Sequence, residues 1–89
     1  MYQYYILEIV KAPETGYSHN VFWTFDADKD LARRKAEAKA FELLQGAAVD
    51  SNYLHSVTVL ADDGFQIMSK CYRNVPEPQP KPEPEKDNG

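Results

Sequence analysis

The sequence predicts a small α+β domain over residues 1–75, with elements in the order ββαββ and a disordered Pro/Glu/Lys tail over 76–89. The expected sheet has four strands, is mainly antiparallel, and carries one helix packed on one face. Three observations predict this. Four stretches rich in aromatic and aliphatic residues flank one stretch in which alanines recur at three- and four-residue spacing. Asp62, Asp63 and Gly64 form a tight-turn signature between the last two strand-like stretches. From Pro76 onward, prolines alternate with Glu, Gln and Lys, a pattern that neither ladders nor forms a helix and that samples extended polyproline II.

Tyr2 to Val10 reads as the first strand. Tyr5, Leu7 and Ile9 share one face, and Tyr2, Tyr4, Ile6 and Val10 the other. A strand apolar on both faces is expected to be covered on both. Lys11 to Asn20, with Pro13 and Gly16, reads as a long connection, and His19 within it needs no role. Val21 to Phe25 is the second strand, with Val21, Trp23 and Phe25 on one side.

Asp26, Asp28 and Asp30 place N-cap candidates and dipole-favourable acids before a helix from Lys29 to about Ala48, with Asp28 the expected cap. Ala32, Ala36, Ala40, Leu43 and Ala47 define its buried stripe, with Leu44 at the margin. Alanines let the helix axis approach its partner closely. Phe41 lies off the stripe and should meet a second surface or solvent. After the Asp50-Ser51-Asn52 turn, Tyr53 to Ala61 forms the third strand, with Tyr53, His55, Val57 and Val59 on one face. Phe65 to Arg73 returns antiparallel as the fourth.

Composition narrows the class. At 43% apolar and 12% aromatic, the body has enough material for a packed core. The formal charge is -4, of which the tail's four acids and two lysines account for half, so the body has no net positive field to attract long nucleic acid. Cys71 is the only cysteine, which excludes an intrachain disulfide, leaves no cluster for zinc, and fits a reducing cytoplasm. No apolar stretch approaches the roughly 20 residues needed to span a bilayer, and the N-terminus has no basic leader pattern. A single helix cannot cover both faces of such a sheet, so a homodimer or higher oligomer is expected, through the sheet or the alanine-lined helix.

No phosphate loop, metalloprotease helix or cysteine-pair motif is present, and no cofactor is expected. The candidate ligand-binding residues are Arg33, Arg34, Lys35 and Lys39 on the helix, with His55, Lys70, Tyr72 and Arg73 from the last hairpin. Arg and Lys grip phosphate or carboxylate, and aromatic rings beside them suit a nucleobase, so a small anionic nucleotide is the ligand these types fit. The ordinary reading of the helix run is a solvated face interleaved with Glu37 and Glu42. Arg33 stands out because its angle lies between Ala40 and Leu44, inside the apolar arc. His55 among apolar neighbours reads as a satisfied structural residue, and Ser56 alternates to the other face. Cys71 reads as a small buried apolar residue.

Ala36-Glu37, Lys39, Leu44, Ala47-Ala48-Val49, Ser51, His55-Ser56, Gly64-Phe65, Met68 and Cys71-Tyr72 are together similar to a family of short, uncharacterised phage and prophage proteins of gut bacteria. The resemblance runs from the helix to the last strand. It departs at Asp50, where the family pattern is apolar or small, and at Asn74, where a His is common. What it implies is a setting: expression from a phage genome in the cytoplasm of a bacterial host. Two functions fit that setting. One is a non-enzymatic oligomeric binding protein, for example a counter-defence sponge that sequesters a nucleotide-derived immune signal. The other is a structural or assembly component of the virion.

Overall fold

A computed structural model describes residues 1–74, so the tail expected over 76–89 lies outside the described residues. The elements run β1 (Tyr2–Lys11), β2 (Tyr17–Asp26), α1 (Lys29–Ala47), β3 (Leu54–Ala61) and β4 (Gln66–Arg73). The strands form one sheet in the order β2-β1-β3-β4, every neighbouring pair antiparallel. This is the ββαββ α+β architecture the sequence predicts.

Topology fixes which face of β1 is buried. Because β1 pairs antiparallel with both β2 and β3, those two strands run parallel to each other with β1 between them. α1 is the crossover that joins them, spanning two strand spacings or about 10 Å, and it therefore lies across β1 with β2 and β3 at its flanks. Under it Tyr4 and Ile6 meet Val57 and Val59, and the core closes around Ala32, Ala36 and Ala40. These three alanines have no exposed surface. The alanine stripe is thus fully used on the sheet inside one chain. Thr24 on β2 donates its hydroxyl hydrogen to the Ala32 carbonyl at 3.0 Å, tying the second strand to the first turns of α1.

Three local expectations change. The second strand begins at Tyr17, so the connection shrinks to residues 12–16. Tyr17, Ser18, His19 and Asn20 are paired with Lys11, Val10, Ile9 and Glu8, and an extended partner strand recruits them despite modest intrinsic preference. Cys71 is exposed rather than buried, because it sits opposite Ser56 on the uncovered face of the edge strand β4. Asp28 occupies the N-cap position with extended backbone, but its side chain makes no capping hydrogen bond.

The last hairpin closes as its residues dictate. Gly64 takes φ 89°, a left-handed value that favours glycine, and its N–H donates to the Ala61 carbonyl at 2.9 Å. Asp63 Oδ1 accepts the Phe65 N–H at 3.0 Å. One irregularity follows: Val59 pairs with Met68 and Leu60 with Gln66, which leaves Ile67 as the extra residue of a bulge.

The face away from α1 is uncovered. It carries Tyr5, Leu7 and Ile9 from β1, with Val21, Trp23 and Phe25 from β2. Trp23 is 52% exposed, and its ring meets Tyr5 edge-on at 6.4 Å. The β3–β4 half of that face is mostly small and polar, with Ser56, Thr58, Ser69 and Cys71. No carboxylate occupies any paired position on this face.

Candidate functional site

The most ordered polar constellation is one that composition hides. Glu8 projects from β1 toward α1, His55 from the start of β3, and Asp50 from the turn after α1. His55 Nδ1 lies 2.6 Å from Asp50 Oδ2, and its Nε2 lies 2.6 Å from Glu8 Oε2. Glu8 and His55 are both buried. Carboxylates accept, so the ring donates from both nitrogens and is held as an imidazolium. The remaining carboxylate oxygens also have donors. Asn20 donates to Glu8 Oε1 at 3.2 Å, while the backbone N–H and the side-chain amide of Asn52 donate to Asp50 Oδ1 and Oδ2, each at 3.1 Å. Asn74 ties the turn by donating to the carbonyls of Asp50 and Asn52.

Burial by itself pulls the His55 pKa down. Hydrogen bonds to Asp50 and Glu8, together with their charges, outweigh it and raise the value above the ordinary 6.5. Burial likewise pushes the Asp50 carboxyl up, but the hydrogen bonds from His55 and Asn52 prevail and hold it below 3.8. The chemistry that follows is structural. With both nitrogens engaged, the imidazole offers no lone pair to deprotonate a nucleophile. Nor do the three side chains converge on one point, since the ring stands between the carboxylates. Among the described residues no His, Cys, Asp or Glu cluster is arranged to hold a metal ion.

The helix cations are largely engaged with acids. Arg33 Nε pairs with Glu37 at 3.1 Å, and Arg34 Nε with Asp30 at 2.9 Å. Exposed pairs within a helix are each worth at most about 1 kcal/mol. Lys35 reaches across to Asp26 on β2 at 2.8 Å, and this hydrogen bond is the main reason the Asp26 carboxyl sits below its usual range. Lys39 lies 3.7 Å from Glu42 and stands 4.5 Å over the Phe22 ring. On the far edge, Lys70 stands 5.2 Å over the Tyr72 ring, while Arg73 pairs in register with Leu54 on the uncovered face.

The eight residues singled out from sequence therefore do not converge on one cavity of a single chain. Lys35 and Lys39 lean toward β2, whereas Lys70 and Tyr72 belong to β4, three strand spacings or about 14 Å away. His55 is enclosed by its carboxylates. Sequence reasoning missed Glu8 and Asp50 as its partners. A signal existed: Glu8 is the sole charged residue between Met1 and Lys11, on the same alternation as Tyr4 and Ile6. A charge on a face that a helix will cover calls for a buried counter-charge, and His55 stands on the matching face of β3.

These features define the class as a two-layer α+β domain with a Glu–His–Asp centre, buried at Glu8 and His55 and half-buried at Asp50, and an uncovered aromatic sheet face. No family model matches the sequence, and neither a curated protein nor a solved structure matches it. Among the described residues, no helix is long and apolar enough to cross a membrane.

Proposed function

We propose that this chain is a non-enzymatic binding protein that works as a homo-oligomer, self-associating through the uncovered face of its sheet. The observation that carries this reading is the row of Tyr5, Leu7, Val21, Trp23 and Phe25 on a face without carboxylates. Monomers seldom leave so continuous an apolar surface in water. A two-fold axis through the face lays the apolar β1–β2 half of one copy on that of the other, the aligned packing of sheets in a sandwich. The alanine-lined helix, the other expected route, is occupied inside the chain.

The non-enzymatic part is supported by the saturated imidazole of His55. Cys71 supports it too, since its Sγ has only the Tyr72 carbonyl, at 3.8 Å, as a hydrogen-bond partner among the described residues. The resemblance to phage proteins supplies the setting, the cytoplasm of an infected bacterium. There the finer reading is a sponge for a nucleotide-derived signal.

Light scattering on the full chain tests the oligomer, with a dimer or larger assembly as the expected mass. Trp23→Glu should yield a monomer with unchanged far-ultraviolet circular dichroism, because Trp23 is outside the helix-side core. A monomeric parent would remove self-association through this face. A panel of cyclic and NAD-derived nucleotides should raise the Tm of the parent. Absence of any shift, with co-purification on phage particles, would favour the virion component instead.

A further inference from the structure

We infer that the free edge of β2 pairs with β2 of a second copy, the two strands joining antiparallel so that two four-stranded sheets become one of eight strands. The inference rests on the self-association proposed for the uncovered face and deepens it. Stacking covers the face, and edge pairing covers the flank of the strand that ends it.

The two edges of the sheet differ. β4 carries devices that discourage pairing: Lys70, Arg73 and a bulge at Ile67. β2 has ten residues without Lys, Arg, Pro or Gly, its register with β1 is unbroken, and Asp26 at its end is its one carboxylate. Exposure follows the same line. Tyr5, Leu7 and Ile9 on β1 are half-buried, because strands flank them on both sides. Tyr17, Val21, Trp23 and Phe25 share their face but stand on the edge, and they are 70%, 45%, 52% and 43% exposed. β4 exposes no large apolar side chain to that degree.

Self-complementarity selects a second copy as the occupant. With a two-fold axis at Val21, Ser18 lies opposite Thr24 of the second copy, His19 opposite Trp23, and Tyr17 opposite Phe25. Hydroxyl faces hydroxyl and ring faces ring, which are the cross-strand pairs that stabilise antiparallel sheets. Asp26 falls opposite Gly16, just outside the strand, so no like charges meet.

Pairing also completes a gradient of polarity. The strand order becomes β4-β3-β1-β2-β2-β1-β3-β4, which sets the two apolar β1–β2 halves side by side and the small polar β3–β4 halves at the rims. An apolar centre with a polar rim is how protein interfaces are built. One strand edge is a small contact beside the roughly 1,200–2,000 Å² of a standard interface, so it joins stacked dimers into a tetramer rather than monomers into dimers.

Sedimentation and amide hydrogen exchange on the full chain test this together. Successive strand amides alternate in direction, so half of those in β2 face away from β1. The expected result is a tetramer in which the outward amides of β2 are protected while those of β4 exchange freely. A dimer whose outward β2 amides exchange as fast as those of β4 would overturn edge pairing and leave stacking intact, whereas a monomer would overturn both. Ser18 is exposed and lies on the helix side of the sheet, off the stacked face. Ser18→Glu sets a carboxylate diagonal to Asp26 of the second copy, twice about the axis, and should weaken the dimer–tetramer equilibrium about tenfold, with Ser18→Gln weakening it far less. Tetramer affinity unchanged from the parent in Ser18→Glu would overturn the pairing.

Discussion

Replacing His55 with Ala is expected to destabilise the domain by about 3–5 kcal/mol, because it leaves Glu8 buried without its counter-charge and frees Asp50. A domain of this size has a total stability of roughly 4–11 kcal/mol, so the variant should lose about a quarter of it or more, and be largely unfolded if the parent lies at the low end. Chemical denaturation of parent and variant measures the difference. The cost should lie in the orphaned charge rather than in lost volume. The double variant Glu8→Leu/His55→Leu, which removes the charge pair and keeps the bulk, should recover most of the loss. If the double variant were no more stable than His55→Ala, the orphaned-charge account would fail.

The same centre sets a pH window. The folded-state pKa of His55 is raised above 6.5, so its contribution is complete below that pH and is lost as pH rises through the folded value. The folded-state pKa of Asp50 is lowered below 3.8, so its contribution is present above that pH and is lost as pH falls through the folded value. Stability from this centre should therefore peak between pH 3.8 and 6.5 and decline on the alkaline side. Denaturation midpoints measured across pH should show that decline in the parent and lose it in Glu8→Leu/His55→Leu.

The second large effect is expected at Ile6. It has no exposed surface and lies in the core beneath α1, so Ile6→Ala should cost about 2–5 kcal/mol. Leu7→Ala, one residue along the same strand, should cost less in the isolated chain, because Leu7 faces the uncovered side and is only partly buried. Its main effect should be on association, read as a higher dissociation constant by sedimentation. Equal losses of folding stability at the two positions would contradict the one-sided burial of β1.

How much of this was legible in the sequence follows from the range of each interaction. Element order, the helix start at Lys29, the buried Ala32, Ala36, Ala40 and Ala47, and the Asp62-Asp63-Gly64 turn were all readable. Each is written within a few residues by periodicity or by a backbone preference. The first half of β2 was not readable, since Tyr17 to Asn20 become a strand only because β1 is there to pair with them.

The candidate sites divide the same way. The sequence placed His55 on the face of Val57 and Val59, and flagged Arg33 as out of keeping with its apolar arc. Tertiary structure alone decided that His55 meets Glu8, 47 positions away, and Asp50. It also decided that the helix cations find acids instead of one another. The sequence by itself determined the two-layer architecture and the excess of apolar surface. Which apolar face α1 covers, and therefore which is left for a partner, came only from its crossover over β1. The physical reason is that alternation along β1 makes both faces apolar, and only the path of the chain between β2 and β3 breaks the tie.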